Sequence, residues 1–198
     1  LSNWMIDGDP GFDVFGMDVA RYGDWTTLHH TNAKVRENYA RRFRIRFPNE
    51  ELPAARPFRT TPIYDRLAER HAVFGDMTGL EHALWFAPSA AEAKDAFSFR
   101  RSNDFAHVGA ESRAVREGVG LLEISNFAKY EIAGPGAEAW LDHLLPNRLP
   151  KVGRMVLTPM LNDNGMLIGD FTLARENDER FMIFGSGLAE QYHMRWFL

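Results

Sequence analysis

The segment that most constrains the fold is 157–175, LTPMLNDNGMLIGDFTLAR. Apolar residues flank the run Asn162–Gly165, and Asn-Gly is among the strongest short-range signals for a tight turn between two strands. The segment therefore predicts a β-hairpin, with one arm before Asn162 and a returning arm over 166–175. The first part of the returning arm is almost wholly apolar and carries one carboxylate, Asp170.

Asp170 lies between Gly169 and Phe171, where burial of a carboxylate is costly unless a partner compensates it. The pattern leaves two interpretations open. Asp170 is either an exposed acid on the polar face of a half-buried strand or a ligand-facing acid in an apolar pocket. Because side chains alternate with a period of two, a slip of one residue in the hairpin would move Asp170 to the opposite face.

Composition limits the classes of function. The chain has no cysteine, which excludes disulfides, cysteine-ligated zinc and thiol catalysis. Its net charge of −4 gives no general argument for nucleic-acid or membrane binding, so we expect neither a nucleic-acid nor a membrane partner. The histidines are scattered without a His-x-x-x-His pair, so we expect no metal site. No nucleotide-binding loop motif is present.

The first sixty residues contain one clear helical pattern. The segment 31–43 predicts a helix that Thr31 or Asn32 caps. The run Arg41–Phe47, RRFRIRF, then alternates apolar and cationic residues and predicts a strand. Its arginine-bearing face is either a solvated, salt-bridged surface or a surface that faces a carboxylate or phosphate.

Prolines concentrate between Pro48 and Pro62, which predicts an extended connector and divides the chain into 1–60 and 61–198. The second part is predicted to be α+β with a mainly antiparallel sheet. Besides the hairpin, the patterns predict a loop around Gly75 and Gly79, helices over 110–118 and from Ala137, and strands over 121–133 and 180–185. The chain opens without Met and ends inside an apolar, helix-like run, so we expect a piece of a longer protein.

Several segments of the second part share their order and spacing with one family. They are Thr61–Asp65, Ala114–Phe127, Ile132–Ala137, Leu161–Gly165 and Gly169-Asp170. In these residues the chain resembles the aminomethyltransferase family, the glycine-cleavage T-protein fold that binds tetrahydrofolate. The resemblance implies an α+β fold of mainly antiparallel sheet with flanking helices, in which the folate-binding domain is incomplete. It places the family's later folate contacts beyond Leu198, so we expect the chain alone to be inactive.

The same resemblance implies roles for particular residues. The family's catalytic aspartate, which contacts the pterin near the reacting nitrogens, maps onto Asp170. Pocket-lining positions map onto Phe127, Leu157, Met182 and Phe184. A carboxylate in an apolar, partly dry cleft stabilises positive charge that develops at a folate nitrogen and can accept a proton. Apolar walls would pack the flat pterin.

The segment Phe12–Leu67 resembles the junction in dimethylglycine and sarcosine dehydrogenases. There an FAD-dependent, amine-oxidising half runs through a small central domain into a folate-binding half. The implied function is folate-dependent one-carbon transfer coupled to FAD-linked oxidation of an N-methylated glycine, with the FAD site outside this chain. A non-catalytic folate-binding or assembly module, and an amine oxidase with a vestigial folate half, remain open. We expect the bacterial cytoplasm or the mitochondrial matrix, and no targeting segment is visible.

Overall fold

The computed structural model describes residues 2–198, except for the side chains of Val19 and Ala20. The described residues form two compact units. One joins the residues up to Trp25 to Phe127–Leu198, and the other is Thr26–Asn126. The division at residue 60 stays a prediction, because these units group residues by contact rather than by sequence segment. No helix in the described part of the chain is long and apolar enough to cross a membrane.

The predicted α+β class with antiparallel sheets is confirmed. In chain order the helices are α1 (Ser2–Asp7), α2 (Leu28–Ala40), α3 (Tyr64–Ala68), α4 (Asp104–Glu117), α5 (Ala137–Leu144) and α6 (Glu190–Phe197). The strands are β1 (Ala72–Met77), β2 (Leu80–Phe86), β3 (Ala128–Ala133), β4 (Met155–Leu161), β5 (Leu167–Arg175) and β6 (Arg180–Gly185). Short 3-10 helices lie at Phe15–Met17, Val19–Tyr22 and Gly187–Ala189.

A four-stranded antiparallel sheet in the order β3-β6-β5-β4 forms the centre of the unit that contains 127–198. One face of this sheet, here called the covered face, packs with α5 and α6 into one core. The largest buried side chains of that core are Leu141, Met160, Phe171, Leu173, Phe181 and Ile183. The alternation of strand residues therefore buries every second side chain beneath the sheet.

The predicted hairpin at 157–175 is confirmed as β4 and β5. Gly165 has a φ of 74°, a backbone conformation that glycine adopts without the steric cost of a Cβ. The side-chain oxygen Oδ1 of Asn162 accepts hydrogen bonds from the backbone N–H groups of Asn164 (3.0 Å) and Met166 (2.9 Å). The Asn-Gly turn that the sequence predicts therefore connects the two strands, and the side chain of Asn162 stabilises it.

The predicted loop around Gly75 and Gly79 is wrong, because β1 and β2 form a second hairpin there. Its turn residues Thr78 and Gly79 both have positive φ, at 50° and 82°. Asn or Asp usually precedes the glycine in such a turn, so Thr78 hid the signal. Trp85 of β2 is buried, and its indole N–H donates to Asp95 at 3.0 Å.

The helix predicted over 31–43 is real but begins and ends three residues earlier, as α2. Thr27 is its N-cap, with the side-chain oxygen accepting from the backbone N–H of His30 at 3.2 Å. The strand predicted at Arg41–Phe47 is wrong. Successive turns follow α2, the run pairs with no neighbouring strand among the described residues, and Phe43 is 92% exposed. Alternation alone does not stabilise a strand that lacks a partner.

The strand predicted over 121–133 is present only in its second half, as β3. Leu121 and Leu122 precede it in irregular, exposed chain, so their apolar pattern is not explained by burial in the described structure. The helix predicted over 110–118 is present and starts earlier, at Asp104, and it ends at Gly118 as predicted. The strand predicted over 180–185 is confirmed as β6.

Candidate functional site

The face of the four-stranded sheet opposite the covered face, here called the open face, carries most of the residues predicted for a site. Four cross-strand pairs define it. Leu157 lies opposite Thr172, which in turn lies opposite Phe184. Met182 lies opposite Ala174 on the same face, and Asp170 lies opposite Pro159. The hairpin and β6 thus bring Asp170, Leu157, Met182 and Phe184 to one surface.

Asp170 has an apolar neighbour on each side. In this register Leu157 and Phe184 are its diagonal neighbours across the two adjoining strands, and such pairs have α-carbons about 7–8 Å apart. Leu157 is 75% exposed, whereas Phe184 is half-buried. A carboxylate flanked by accessible apolar side chains is able to hold a flat apolar ring that carries a cationic or proton-bearing nitrogen.

Phe127 lies at the end of the sheet where Asp170 lies. It directly precedes Ala128, whose partner is Gly185 at the end of β6. Its ring is exposed, and its carbonyl oxygen accepts a hydrogen bond from the Nζ of Lys129 at 2.7 Å. The structure thus places all five residues implied by the family resemblance on or beside the open face.

The expectation that Asp170 faces an enclosed apolar pocket is corrected by the structure. Asp170 is exposed, as are Leu157 and Phe127 on or beside the open face. The physical reason is that α5 and α6 both pack against the covered face. The other interpretation left open by the sequence, an exposed acid on a half-buried strand, describes its environment in residues 2–198.

Sequence reasoning missed a histidine close to Asp170. His193 of α6 is 3% exposed and lies beneath β5, where its Nε2 is 3.1 Å from the carbonyl oxygen of Ile168. Burial lowers the pKa of His193, against smaller raising effects of the Ile168 carbonyl and of Asp170. A lone glycine in a strand, here Gly169, was the available signal, since it often marks a bulge or a close approach.

The arginines of the Arg41–Phe47 run lie in the other unit. They line a shallow cleft of about 370 Å³ together with residues of α2. Arg41 is paired with Glu50 at 3.1 Å, and with Glu37 at 4.0 Å as the helical spacing predicts. The salt-bridged interpretation therefore accounts for Arg41. That the other arginines of the run face a carboxylate or phosphate stays a prediction.

Groups suited to metal binding do not occur in the part of the chain that the structure describes: no three His, Asp or Glu side chains lie close enough together. The open face instead offers one carboxylate among apolar side chains. Its chemistry is that of proton transfer and electrostatic stabilisation rather than of metal ligation.

Comparison with protein families places two models end to end on this chain. The GCVT N-terminal domain matches residues 63–198, and the FAD dependent oxidoreductase central domain matches residues 7–61. The first match contains the whole open face. The fold is similar to the crystal structure of the glycine cleavage system aminomethyltransferase T from Bartonella henselae, with a TM-score of 0.51 and 20% identity. That similarity covers 70% of this chain and 34% of the other.

Curated relatives match nearly the whole chain. Rat mitochondrial dimethylglycine dehydrogenase is 34% identical over 196 residues, which are 99% of this chain and 23% of the relative. The 4-methylaminobutanoate oxidase (formaldehyde-forming) of Paenarthrobacter nicotinovorans is 35% identical over 194 residues, which are 96% of this chain and 23% of the relative. The chain therefore spans about a quarter of the length of these relatives.

Proposed function

Because the chain belongs to the GCVT family over residues 63–198, we propose that its open face is the pterin side of a folate-dependent one-carbon transfer site. The site would serve a longer FAD-linked dehydrogenase of N-methylated glycines. The single observation that carries the proposal is the position of Asp170 between Leu157 and Phe184 on an accessible sheet face. The curated relatives that span the whole chain support the FAD-linked context.

The residues present fit a reduced pterin. Tetrahydrofolate, when bound, supplies a nucleophilic nitrogen that accepts the one-carbon unit of an iminium. Asp170 would stabilise the positive charge that develops at that nitrogen and accept the proton that leaves it. The apolar side chains of Leu157, Phe184, Met182 and Phe127 would cover the pterin ring and exclude water from the carboxylate.

The proposal is tested in the full-length protein that carries this chain, by the change Asp170→Asn. We expect the rate of 5,10-methylene-tetrahydrofolate formation to fall about 100-fold, because a positioned acid–base group contributes about 10²–10⁴-fold. Reduction of FAD by the amine should keep its rate, since Asp170 is assigned to the folate step alone. The measurement combines stopped-flow flavin absorbance with quantification of the folate product.

Asp163→Asn is the matched control, because Asp163 is an exposed aspartate in the turn of the same hairpin and lies outside the proposed site. It should leave both rates unchanged. Tetrahydrofolate binding with an undiminished folate product in Asp170→Asn would refute the assignment of Asp170.

A second candidate function is amine oxidation with release of formaldehyde and no folate capture. The similarity to an oxidase named as formaldehyde-forming favours this candidate. The two functions differ in their one-carbon product. Formaldehyde that accumulates equally with and without tetrahydrofolate would support the oxidase, whereas its replacement by methylene-tetrahydrofolate would support the transferase. A non-catalytic folate-binding module beside an active FAD-linked half would bind tetrahydrofolate and still release formaldehyde, so a measurement of tetrahydrofolate binding separates it from the oxidase.

The compartment follows from the relatives only as a proposal. The rat relative is named as mitochondrial. We propose the mitochondrial matrix or, for a bacterial source, the cytoplasm.

A further inference from the structure

We propose that His193 is a positioning residue, which holds a β-bulge at Ile168 and thereby directs Asp170 onto the open face. This inference rests on the proposed function, because it assigns a role to His193 through Asp170. Three independent features of the described structure support it: the hairpin register, the contacts of the imidazole, and the space available at Gly169.

The first feature is a register shift in the hairpin. Met160 lies opposite Gly169, and Leu161 lies opposite Leu167, so Ile168 has no partner across the hairpin. An extra residue of this kind is a β-bulge, which changes the direction of the side chains that follow it.

The bulge decides on which face Asp170 lies. Leu167 and Asp170 are both exposed although they are three residues apart, and Ile168 packs against the core. In an uninterrupted strand, residues three apart point to opposite faces. Without the bulge, a strand that kept Leu167 on the open face would therefore turn Asp170 toward the covered face.

The second feature is the set of contacts that the imidazole of His193 makes. Only a protonated Nε2 can donate to the carbonyl oxygen of Ile168, so the 3.1 Å contact fixes the tautomer with the proton on Nε2. The ring also packs edge-on against Phe171, with centroids 4.7 Å apart. Its Nδ1 is buried without a hydrogen-bond partner among the described residues. The single hydrogen bond that this buried imidazole makes is therefore directed at the bulge.

The helix that carries His193 is itself attached to the sheet. The hydroxyl of Tyr130 on β3 donates to the carbonyl oxygen of Glu190 at 3.0 Å. The ring of Phe197, at the other end of α6, packs edge-on against Tyr130 with centroids 4.9 Å apart. Both ends of α6 thus hold His193 in a fixed place below β5.

The third feature is the absence of a side chain at position 169. A Cβ at Gly169 would lie 2.6 Å from Nε2 of His193 and 3.0 Å from the ring of Phe171. The distance to His193 is shorter than real Cβ contacts, the distance to Phe171 is tighter than most of them, and both rings are held by packing. Glycine immediately before Asp170 is therefore the residue that lets the imidazole reach the Ile168 carbonyl.

These contacts fix the backbone on one side of the strand while the carboxylate projects from the other. His193 does not touch the open face, so its effect on the reaction passes through the direction of Asp170. A catalytic group displaced by about 1 Å can cost about 100-fold in rate without a matching loss of binding.

The test uses the full-length protein and compares His193→Leu with His193→Gln. Leucine fills the space but cannot donate, whereas the glutamine amide can reach the Ile168 carbonyl. We expect His193→Leu to lower kcat of the folate-dependent step about 10-fold and to leave the KM for tetrahydrofolate within about twofold. His193→Gln should recover most of the rate, and FAD reduction should be unchanged in both variants.

The Asp170→Asn background shows whether the effect passes through the carboxylate. There His193→Leu should cause no further loss of the folate-dependent rate, because the group that it positions is gone. His143→Leu, an exposed histidine of α5 in the same unit, is the control and should be silent. If His193→Leu does not fold, Gly169→Ala replaces it, since its methyl group would displace the imidazole.

Failure of the positioning role and failure of the proposed function give different results. If Asp170→Asn leaves the folate product undiminished, the proposed function fails. If Asp170→Asn is inactive but His193→Leu or Gly169→Ala has the wild-type kcat, only the positioning role is overturned. Equal losses of FAD reduction and folate transfer would also overturn it, because they indicate general damage.

Discussion

The covered and open faces of the same four-stranded sheet differ in what explains their apolar side chains. On the covered face Leu173 and Ile183 are almost completely inaccessible and belong to one packed core. On the open face Leu157, which lies on the neighbouring strand β4, is 75% exposed. Packing explains the first set of apolar side chains. The second set is not explained by packing within the described residues, as expected of side chains that contact a ligand.

The largest expected difference between the faces is in stability. Leu173→Ala should lower the local free energy of unfolding by about 3 kcal/mol, since it removes buried methyl groups and leaves a cavity. Leu157→Ala should change it by less than about 0.5 kcal/mol, because the side chain is exposed. Native-state hydrogen exchange of the β5 amides in the full-length protein measures both values.

The effects on tetrahydrofolate affinity should have the reverse order, with the larger effect in Leu157→Ala. Leu157→Ala should weaken tetrahydrofolate binding about 10-fold, equivalent to about 1.4 kcal/mol. An equal loss of stability in the two variants, with no change in folate affinity for Leu157→Ala, would remove the distinction between the faces.

A smaller effect is expected from pH, through His193 beneath the sheet. Burial lowers its pKa, and the Ile168 carbonyl and Asp170 raise it to a lesser extent. Since the folded-state pKa is below the unfolded value of about 6.5, the unfolded chain binds the proton more readily. The contribution of His193 to stability is thus complete above about pH 6.5 and is lost as the pH falls toward the folded-state pKa.

We therefore expect the free energy of opening at β5 to decrease between about pH 7.5 and 5.5, and to decrease less in His193→Gln. Hydrogen exchange corrected for its intrinsic pH dependence gives both slopes. The control is His30→Gln, because burial also lowers the pKa of His30, which lies in the other unit. An unchanged slope at β5 in His193→Gln would show that this histidine is not the titrating group.

The elements that the sequence predicted correctly are those whose local signals agree with their packing. The 157–175 hairpin has a turn-forming Asn-Gly pair between two largely apolar arms, and β6 is a short apolar run that follows a turn. The Arg41–Phe47 run has a clear alternation of apolar and cationic residues, but no neighbouring strand pairs with it in the described structure. A periodic pattern indicates which side chains share a face, whereas hydrogen-bonded partners decide whether a strand forms.

The site was predictable in part for the same reason. Strand register brings Asp170, Leu157, Met182 and Phe184 to one face, and the family resemblance pointed to these positions. The bulge at Ile168 and its contact with His193 join residues 25 positions apart, a separation that local patterns do not span. Gly169 was the sequence signal of that contact, but it could be interpreted only once the position of the imidazole was known.

The central claim, that tetrahydrofolate binds the open face, is tested most directly by thiol protection. Leu157→Cys would place a thiol on that face of a chain that has no cysteine of its own, and Val119→Cys would place one at a 99% exposed position of the other unit. In the full-length protein, peptide mass spectrometry would follow alkylation of each site with and without saturating tetrahydrofolate. We predict about a 10-fold slower alkylation at position 157 with folate and no change at position 119, since a bound pterin covers only the first. Equal alkylation rates at position 157 with and without bound folate would contradict the assignment.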